Sequence, residues 1–481
     1  MKSSLFSTLL GVALLGLGGC TADERDFSSG AGGAGGSGQG GGGGGGGQEC
    51  SSPADCPAGD NEAATCSGGQ CGVVCNAGFL DCSAEAPGCE TNGLAKESCG
   101  ACGAACATEC ISGSEGGAGA FCNDPIEISA GYKHTCVIRK DGTLWCWGRN
   151  TVGELGIPIG QGAIPVPVLV PLPGKARKVA AGGGIYSAQQ VPLAHTCAIL
   201  EDTTVYCWGA GVFGQLGIGG SISSDKPVQV TSLVNAVAIS AGGAHTCAVK
   251  TDGDVYCWGS DADGQLGNGP AQDSPTPVLV LSGAKSVDAG ESHTCAVMQP
   301  GLQCWGRNFD GQLGTGDTMD RFVPTEVTIP LKMGVEEVAA GDRHTCARKG
   351  NEAYCFGNDY NGACAANKWG PVVTPTLVAV PSVTHIAVGR ERSGAVSGAM
   401  GLVRMWGVAP LGDEGGQPLG TPVEVKISDV SRLAGGYQHT CALKSNGEVW
   451  CWGEDSDGQL GNGQELVDEP LPVPVVWGVP K

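Results

Sequence analysis

The stretch Ala241-Gly-Gly-Ala-His245-Thr-Cys247-Ala-Val249 decides the fold, together with Thr251-Asp252-Gly253, Val255-Tyr-Cys257-Trp258-Gly259 and Gly264-Gln265-Leu266-Gly267 behind it. β-Branched and aromatic residues alternate around a glycine turn, which is the pattern of short antiparallel strands. The phrase recurs. His-Thr-Cys stands at His134, His195, His245, His293, His344 and His439, and a degraded seventh copy between Gly389 and Gly407 retains only Trp406-Gly407. Self-similarity at a period of about 50 residues signals an array whose units bury one another's faces. Each copy is long enough for one four-stranded blade, so residues 126–481 are expected to form an all-β, seven-bladed propeller.

Turn length then fixes the cysteine pairing. Cys136/Cys146, Cys197/Cys207, Cys247/Cys257 and Cys441/Cys451 are each 10 residues apart. That spacing centres opposed positions on a three-residue loop, and Lys140-Asp141-Gly142, Thr251-Asp252-Gly253 and Ser445-Asn446-Gly447 supply the closing glycine it wants. Cys295/Cys304 and Cys346/Cys355 are 9 apart, which demands an even loop such as Gly350-Asn351. Both registers bring two thiols face to face across a hairpin. In the degraded copy Gly394 and Met405 replace both cysteines at once, as bonding within a blade requires. Cys364 is left over, and reads as a small buried hydrophobe.

The Gly-Gln-Leu-Gly, Trp-Gly and Gly-x-x-His-Thr elements together resemble the regulator of chromosome condensation repeat family, whose fold is a seven-bladed β-propeller. The resemblance covers residues 126–481. It implies guanine-nucleotide exchange as one activity, since some members perform it, and the ring is also similar to a secreted propeller inhibitor of β-lactamase. No catalytic or inhibitory residue carries over by position.

The amino terminus reads as an address. Residues 1–19 form a signal peptide with Lys2 before an apolar run from Leu5 to Leu17, and Leu17-Gly18-Gly19-Cys20 looks like a bacterial lipobox that would place lipid on Cys20. Thr21 follows, not the Asp associated with inner-membrane retention, so a lipid-anchored, extracytoplasmic place at the outer membrane or cell surface is expected. Residues 20–49 make a Gly-rich tether. Residues 50–125 form a Cys-rich module, in which twelve cysteines from Cys50 to Cys122 are expected to pair as disulfides in a connectivity the spacing leaves open. Zinc is allowed by the spacing of Cys99, Cys102, Cys106 and Cys110, but thiolates outside the cytoplasm tend to oxidise.

Charge narrows the partners. Asp+Glu 48 against Lys+Arg 27 gives a net charge of −21, which opposes a phosphate backbone, so no nucleic acid is expected. No cofactor, metal or catalytic residue is assigned. Six histidines share one repeat position and are expected to fix the turn before the strand, while His385 matches no partner. Asp261-x-Asp263-Gly264 and Asp455-x-Asp457-Gly458 lack the twelfth-position Glu of a calcium loop and read as solvated turns. The second copy carries about ten extra residues between Gly182 and His195; their Tyr186, Gln189 and Gln190 are the candidate contact patch. The expected function is a non-catalytic binding propeller displayed outside the cell to an envelope or extracellular protein or glycan.

Overall fold

The structure, a computed structural model, describes residues 123–477 except 161, 187–190, 414–418 and 465, together with six short strands before residue 123. The expected signal peptide, Cys20, the tether and most of the Cys-rich module lie outside the described residues. The early strands pair as three two-stranded ladders, with Cys66 opposite Cys71 in Glu62–Ser67/Gln70–Cys75 and Cys110 opposite Cys122 in Cys110–Ser112/Ala120–Cys122.

Seven four-stranded antiparallel sheets follow, each made of strands consecutive in the chain except the second, where a two-stranded hairpin intervenes between the first and second strands. The first blade runs outward from Pro125–Ala130 through His134–Arg139 and Leu144–Gly148 to Ile164–Leu169. The other innermost strands are Ala176–Gly182, Ala236–Ala241, Ala284–Ala289, Val335–Ala340, Val383–Val388 and Val430–Gly435. They converge on a central channel of about 310 Å³, lined by small residues such as Ser129, Ala180, Ser240 and Ala339 together with larger ones such as Asp288, Glu337 and His385. The second strand of a blade is buried along its length, whereas the outermost is half exposed, as in Ser224–Gln229.

The core lies between blades. Trp147, Trp208, Trp258, Trp305, Trp406 and Trp452 are fully buried, and Phe356 takes the same place in the fifth blade. Each lies under the loop of the blade before that carries the Gly-Gln-Leu-Gly element or its counterpart, such as Gly153-Glu154-Leu155-Gly156 over Trp208. A Cβ on Gly217 would lie 2.7 Å from Trp258 Nε1, and its φ of 71° is left-handed, so close approach and backbone both require glycine there.

Disulfides Cys136–Cys146, Cys197–Cys207, Cys247–Cys257, Cys295–Cys304, Cys346–Cys355 and Cys441–Cys451 join the second and third strands of six blades, each at a Cα separation of 4.1 Å. In the sixth blade Gly394 faces Met405, and a Cβ on Gly394 would lie 2.3 Å from Met405 Sδ, so one long side chain fills the volume of a cystine. Cys364 is fully buried, and burial pushes its thiol well above the usual range.

Among the described residues no strand is exchanged between chain ends to close the ring. Closure comes from packing: Tyr437 N–H donates to Gly131 O at 3.1 Å and Gly463 N–H to Pro165 O at 2.9 Å. Trp477 meets Trp145 and Trp147 edge-on, each at 6.3 Å between ring centroids. The Arg139 guanidinium lies over both Trp145, at 4.3 Å, and Trp477, at 4.2 Å.

Candidate functional site

The repeat histidines act between blades, which corrects the expectation that their side chains fix the preceding turn at every one but His195, whose Nδ1 also meets Leu193 O at 3.2 Å. That turn is closed by the main chain, with Gly242 N–H donating to His245 O at 2.8 Å and Gly290 N–H to His293 O at 2.9 Å. The imidazole instead reaches forward. His134 Nε2 meets Thr196 Oγ1 of the next blade at 2.8 Å, His245 meets Thr294 at 2.9 Å, His344 meets Ser393 at 2.8 Å, and His439 closes the circle on Thr135 at 2.9 Å. The hydroxyl in turn donates to a carbonyl of the previous blade's loop, as Thr246 does to Gln215 O at 2.9 Å, and Trp258 Nε1 donates to the same oxygen at 2.9 Å. Burial pushes His134, His245, His293 and His439 down to about 3 and His195 and His344 to about 4, so the belt is neutral.

The turns between first and second strands share a face with the long loops between third and fourth, because Arg149 N–H donates to Lys133 O at 2.9 Å and Asn358 N–H to Arg343 O at 2.8 Å. This face carries one mouth of the channel, ringed by the residue that follows the turn glycine: Tyr132, Gly183, Gly243, Glu291, Asp342, Arg390 and Tyr437. Five of these positions form an arc of connected side chains. The Arg149 guanidinium lies 5.5 Å over Tyr132, the Tyr132 and Tyr437 rings are 4.4 Å apart, and Arg390 lies 4.5 Å over Tyr437. Arg390 Nε is 3.5 Å from Asp342 Oδ2, and Arg343 Nε is 3.7 Å from Asp342 Oδ1. Burial and the hydrogen-bonded Asp342 push Glu291 far above the carboxylate range. Burial likewise pushes the Tyr437 hydroxyl up to about 12, against the pull of Arg390.

Blades two and three complete the rim with bare glycine. A Cβ on Gly243 would lie 2.5 Å from Glu291 O, and one on Gly184 would lie 3.2 Å from Glu291 Oε1. The insertion rises from this gap: Gly183 N–H donates to Gly242 O at 2.8 Å, and Ile185–Tyr186 pairs with Val191–Pro192. The structure thus roots the strand of Tyr186 at the rim, while Gln189 and Gln190 lie outside the described residues. Sequence reasoning missed the arc. Its signal is the position two before each repeat histidine, which varies inside an otherwise repeated phrase.

Two further expectations change. Asp261 and Asp455 are fully buried organisers of their loops, not solvated turns: Asp261 Oδ1 accepts from Leu266 N–H at 2.9 Å, and Asp455 Oδ1 accepts from Leu460 N–H at 2.8 Å. Burial pushes them up to about 6 and about 7 respectively. His385 has partners, pairing with Glu337 through Nδ1 and meeting Leu433 O through Nε2 at 3.1 Å, at the far end of the channel. Among the described residues no three His, Cys, Asp or Glu side chains gather as a metal site.

Blade number, blade order and a Gly-x-x-His/Thr belt define a propeller of one repeat class. The regulator of chromosome condensation (RCC1) repeat matches at residues 141–188, 202–249, 252–297, 302–348 and 446–478, and a second profile of the same repeat adds 126–154, 236–265, 284–312 and 430–459. The chain belongs to the RCC1 repeat family. It is 32% identical over 363 residues to the ultraviolet-B receptor UVR8 of Arabidopsis thaliana, covering 72% of this chain and 80% of that one. It is also 32% identical over 123 residues to the regulator of chromosome condensation of Drosophila melanogaster, covering 25% of this chain and 21% of that one. Among solved structures, human WBSCR16 superposes with a TM-score of 0.61 at 23% identity, covering 69% of this chain and 94% of that one. Yeast RCC1 (Prp20), from its complex with Kap60, superposes at 0.59 with 21% identity, covering 73% and 84%. These two likenesses concern the fold alone.

Proposed function

We propose that this chain is a lipid-anchored, extracytoplasmic binding propeller that offers its channel mouth and the insertion beside it to a protein or glycan partner of the cell surface. One observation carries the reading: the blades repeat one another in glycine, hydroxyl, cystine and tryptophan, and diverge at the mouth. There an Arg-Tyr-Tyr-Arg-Asp-Glu arc faces a glycine gap. A rigid ring can vary its rim loops without loss of the scaffold, which is how propellers acquire ligands. Six buried cystines support an oxidising compartment, in keeping with the lipobox at Cys20.

The test uses the full chain displayed on its own cells and chemically crosslinked. Arg390→Glu, which reverses charge in the arc while leaving the belt intact, is expected to lower partner capture at least tenfold, and Leu279→Ala on the exposed outer strand of the third blade to leave it unchanged. Equal capture by wild type and Arg390→Glu overturns the reading. Acceleration of GDP release from a small GTPase by the purified chain would replace it with nucleotide exchange. Radiolabelled palmitate should enter the chain and be lost in Cys20→Ala.

A further inference from the structure

We infer that the seam between the sixth and seventh blades is a binding site for a small monovalent anion of halide type, held by Arg392, Thr440 and Trp452. The argument begins with what the other seams do. At each of them a loop carbonyl accepts the next blade's hydroxyl, from Thr196 to Glu154 O at 2.7 Å through Ser393 to Ala363 O at 2.9 Å and Thr135 to Gln459 O at 3.0 Å. Where the next blade has tryptophan, its Nε1 shares that oxygen, as Trp406 shares Ala363 O at 2.9 Å.

The sixth blade breaks this scheme with two changes. Arg392 stands where the repeat has histidine, and Pro410 stands in the loop where it has glutamine. Arg392 Nη1 donates to Pro410 O at 2.9 Å, so the seam's carbonyl turns to its own blade. Thr440 Oγ1 and Trp452 Nε1, which face each other in strand register, are left without a partner at 1% and 0% exposure. Arg392 Nε has no partner either, and its guanidinium, on a residue 3% exposed, makes no ion pair among the described residues.

A hydroxyl, an indole N–H and the Nε of a guanidinium therefore lie buried at one seam without an acceptor of their own. Leaving a buried donor unpaired costs about 1–3 kcal/mol, and leaving a buried charge unpaired costs more. Glu391 and Glu454 act on the Arg392 charge without pairing with it, and a water molecule would satisfy the donors while adding nothing to that compensation. An anion satisfies both. Size sets the class, because the seam is tightly packed, a Cβ on Gly412 lying 3.0 Å from Trp452 Nε1, so the occupant must be the smallest kind of anion, a single-atom ion, and not sulfate.

Crystals of the full chain grown in sodium bromide and in sodium isethionate at equal ionic strength test the site, alongside thermal unfolding in both salts. Expected are an anomalous bromine peak within hydrogen-bond distance of Trp452 Nε1 and the Arg392 guanidinium, and a Tm about 2 °C higher in bromide. Arg392→His restores the donor that Thr440 meets at other seams, and should abolish both the peak and the shift. Should that variant fail to fold, Trp452→Phe, which removes one donor and keeps the bulk, should weaken bromide binding about tenfold. Water in place of bromide at these donors overturns the proposal, as does a halide shift retained in Arg392→His. A peak with no shift in Tm marks an adventitious ion only, and overturns it too.

Discussion

The seam where the chain ends meet is tied more completely than the seam the chain runs straight through. Between the seventh and first blades His439 reaches Thr135, both Thr135 and Trp147 donate to Gln459 O, and Lys133 bridges to Glu454 at 2.8 Å and Asp457 at 3.0 Å. Between the sixth and seventh the equivalent hydroxyl and indole are unpaired, and the sixth blade lacks its cystine. Continuity of the backbone keeps the sixth and seventh blades adjacent at no cost in loop closure. The ends of a propeller must be held together by contacts between blades or they separate, so the repeat signature is kept where topology gives no help.

That contrast can be broken experimentally. Copying the sixth blade into a regular seam with His245→Arg should cost the most, about 3–5 kcal/mol, because it buries a cation beside Thr294 and removes a hydrogen bond; the shift in guanidinium midpoint measures it. A loss below about 1 kcal/mol would mean regular seams tolerate the chemistry of the irregular one. The reverse repair, Gly394→Cys with Met405→Cys, should add a seventh staple worth about 2–3 kcal/mol under oxidising conditions and nothing after reduction. Smaller still, Thr246→Ala should cost about 1–3 kcal/mol by removing the partner of His195 Nε2, whereas Thr440→Ala in halide-free buffer should be close to neutral.

Acid sharpens the comparison further. The belt histidines have folded pKa values of about 3 to 4, depressed from 6.5, so the unfolded chain binds the extra protons and stability falls as pH drops from about 6.5 toward about 3. Asp261, Asp288 and Asp455 are raised from 3.8 to about 6, about 6 and about 7, which has the opposite sign. Their protonation stabilises the folded chain as pH falls from about 7 and is complete by about pH 4. The two sets oppose each other above pH 4, and only the histidines remain below it. Six histidines outnumber three carboxyls, so denaturant midpoints should already fall between about pH 6.5 and 5 and go on falling toward about pH 3; midpoints unchanged from pH 7 down to 4 would contradict this account.

Much of the fold was legible in the chain because each blade is a local object. Strand, turn and cystine lie within a few residues of one another, so the loop of Lys140-Asp141-Gly142 is enough to place Cys136 opposite Cys146. The site was less legible. Tyr132 and Tyr437 stand 305 residues apart, and their contact exists only because the ring closes. The roles of His245 and Asp261 were misread for the same reason, since a motif shows which residues recur and not which neighbouring blade or loop they will meet.

By itself, then, the sequence determined the repeat, the number of blades, the hairpin registers and the positions of the thiols, all of which depend on short separations along the backbone. Tertiary structure alone decided that the histidines join adjacent blades, that Glu291 is buried against Asp342, and that Arg392, Thr440 and Trp452 bring unpaired donors to one seam. The physical reason is one of distance. Bringing remote residues within hydrogen-bond reach needs the whole circle, and burial then changes what each group can do with its proton or its charge.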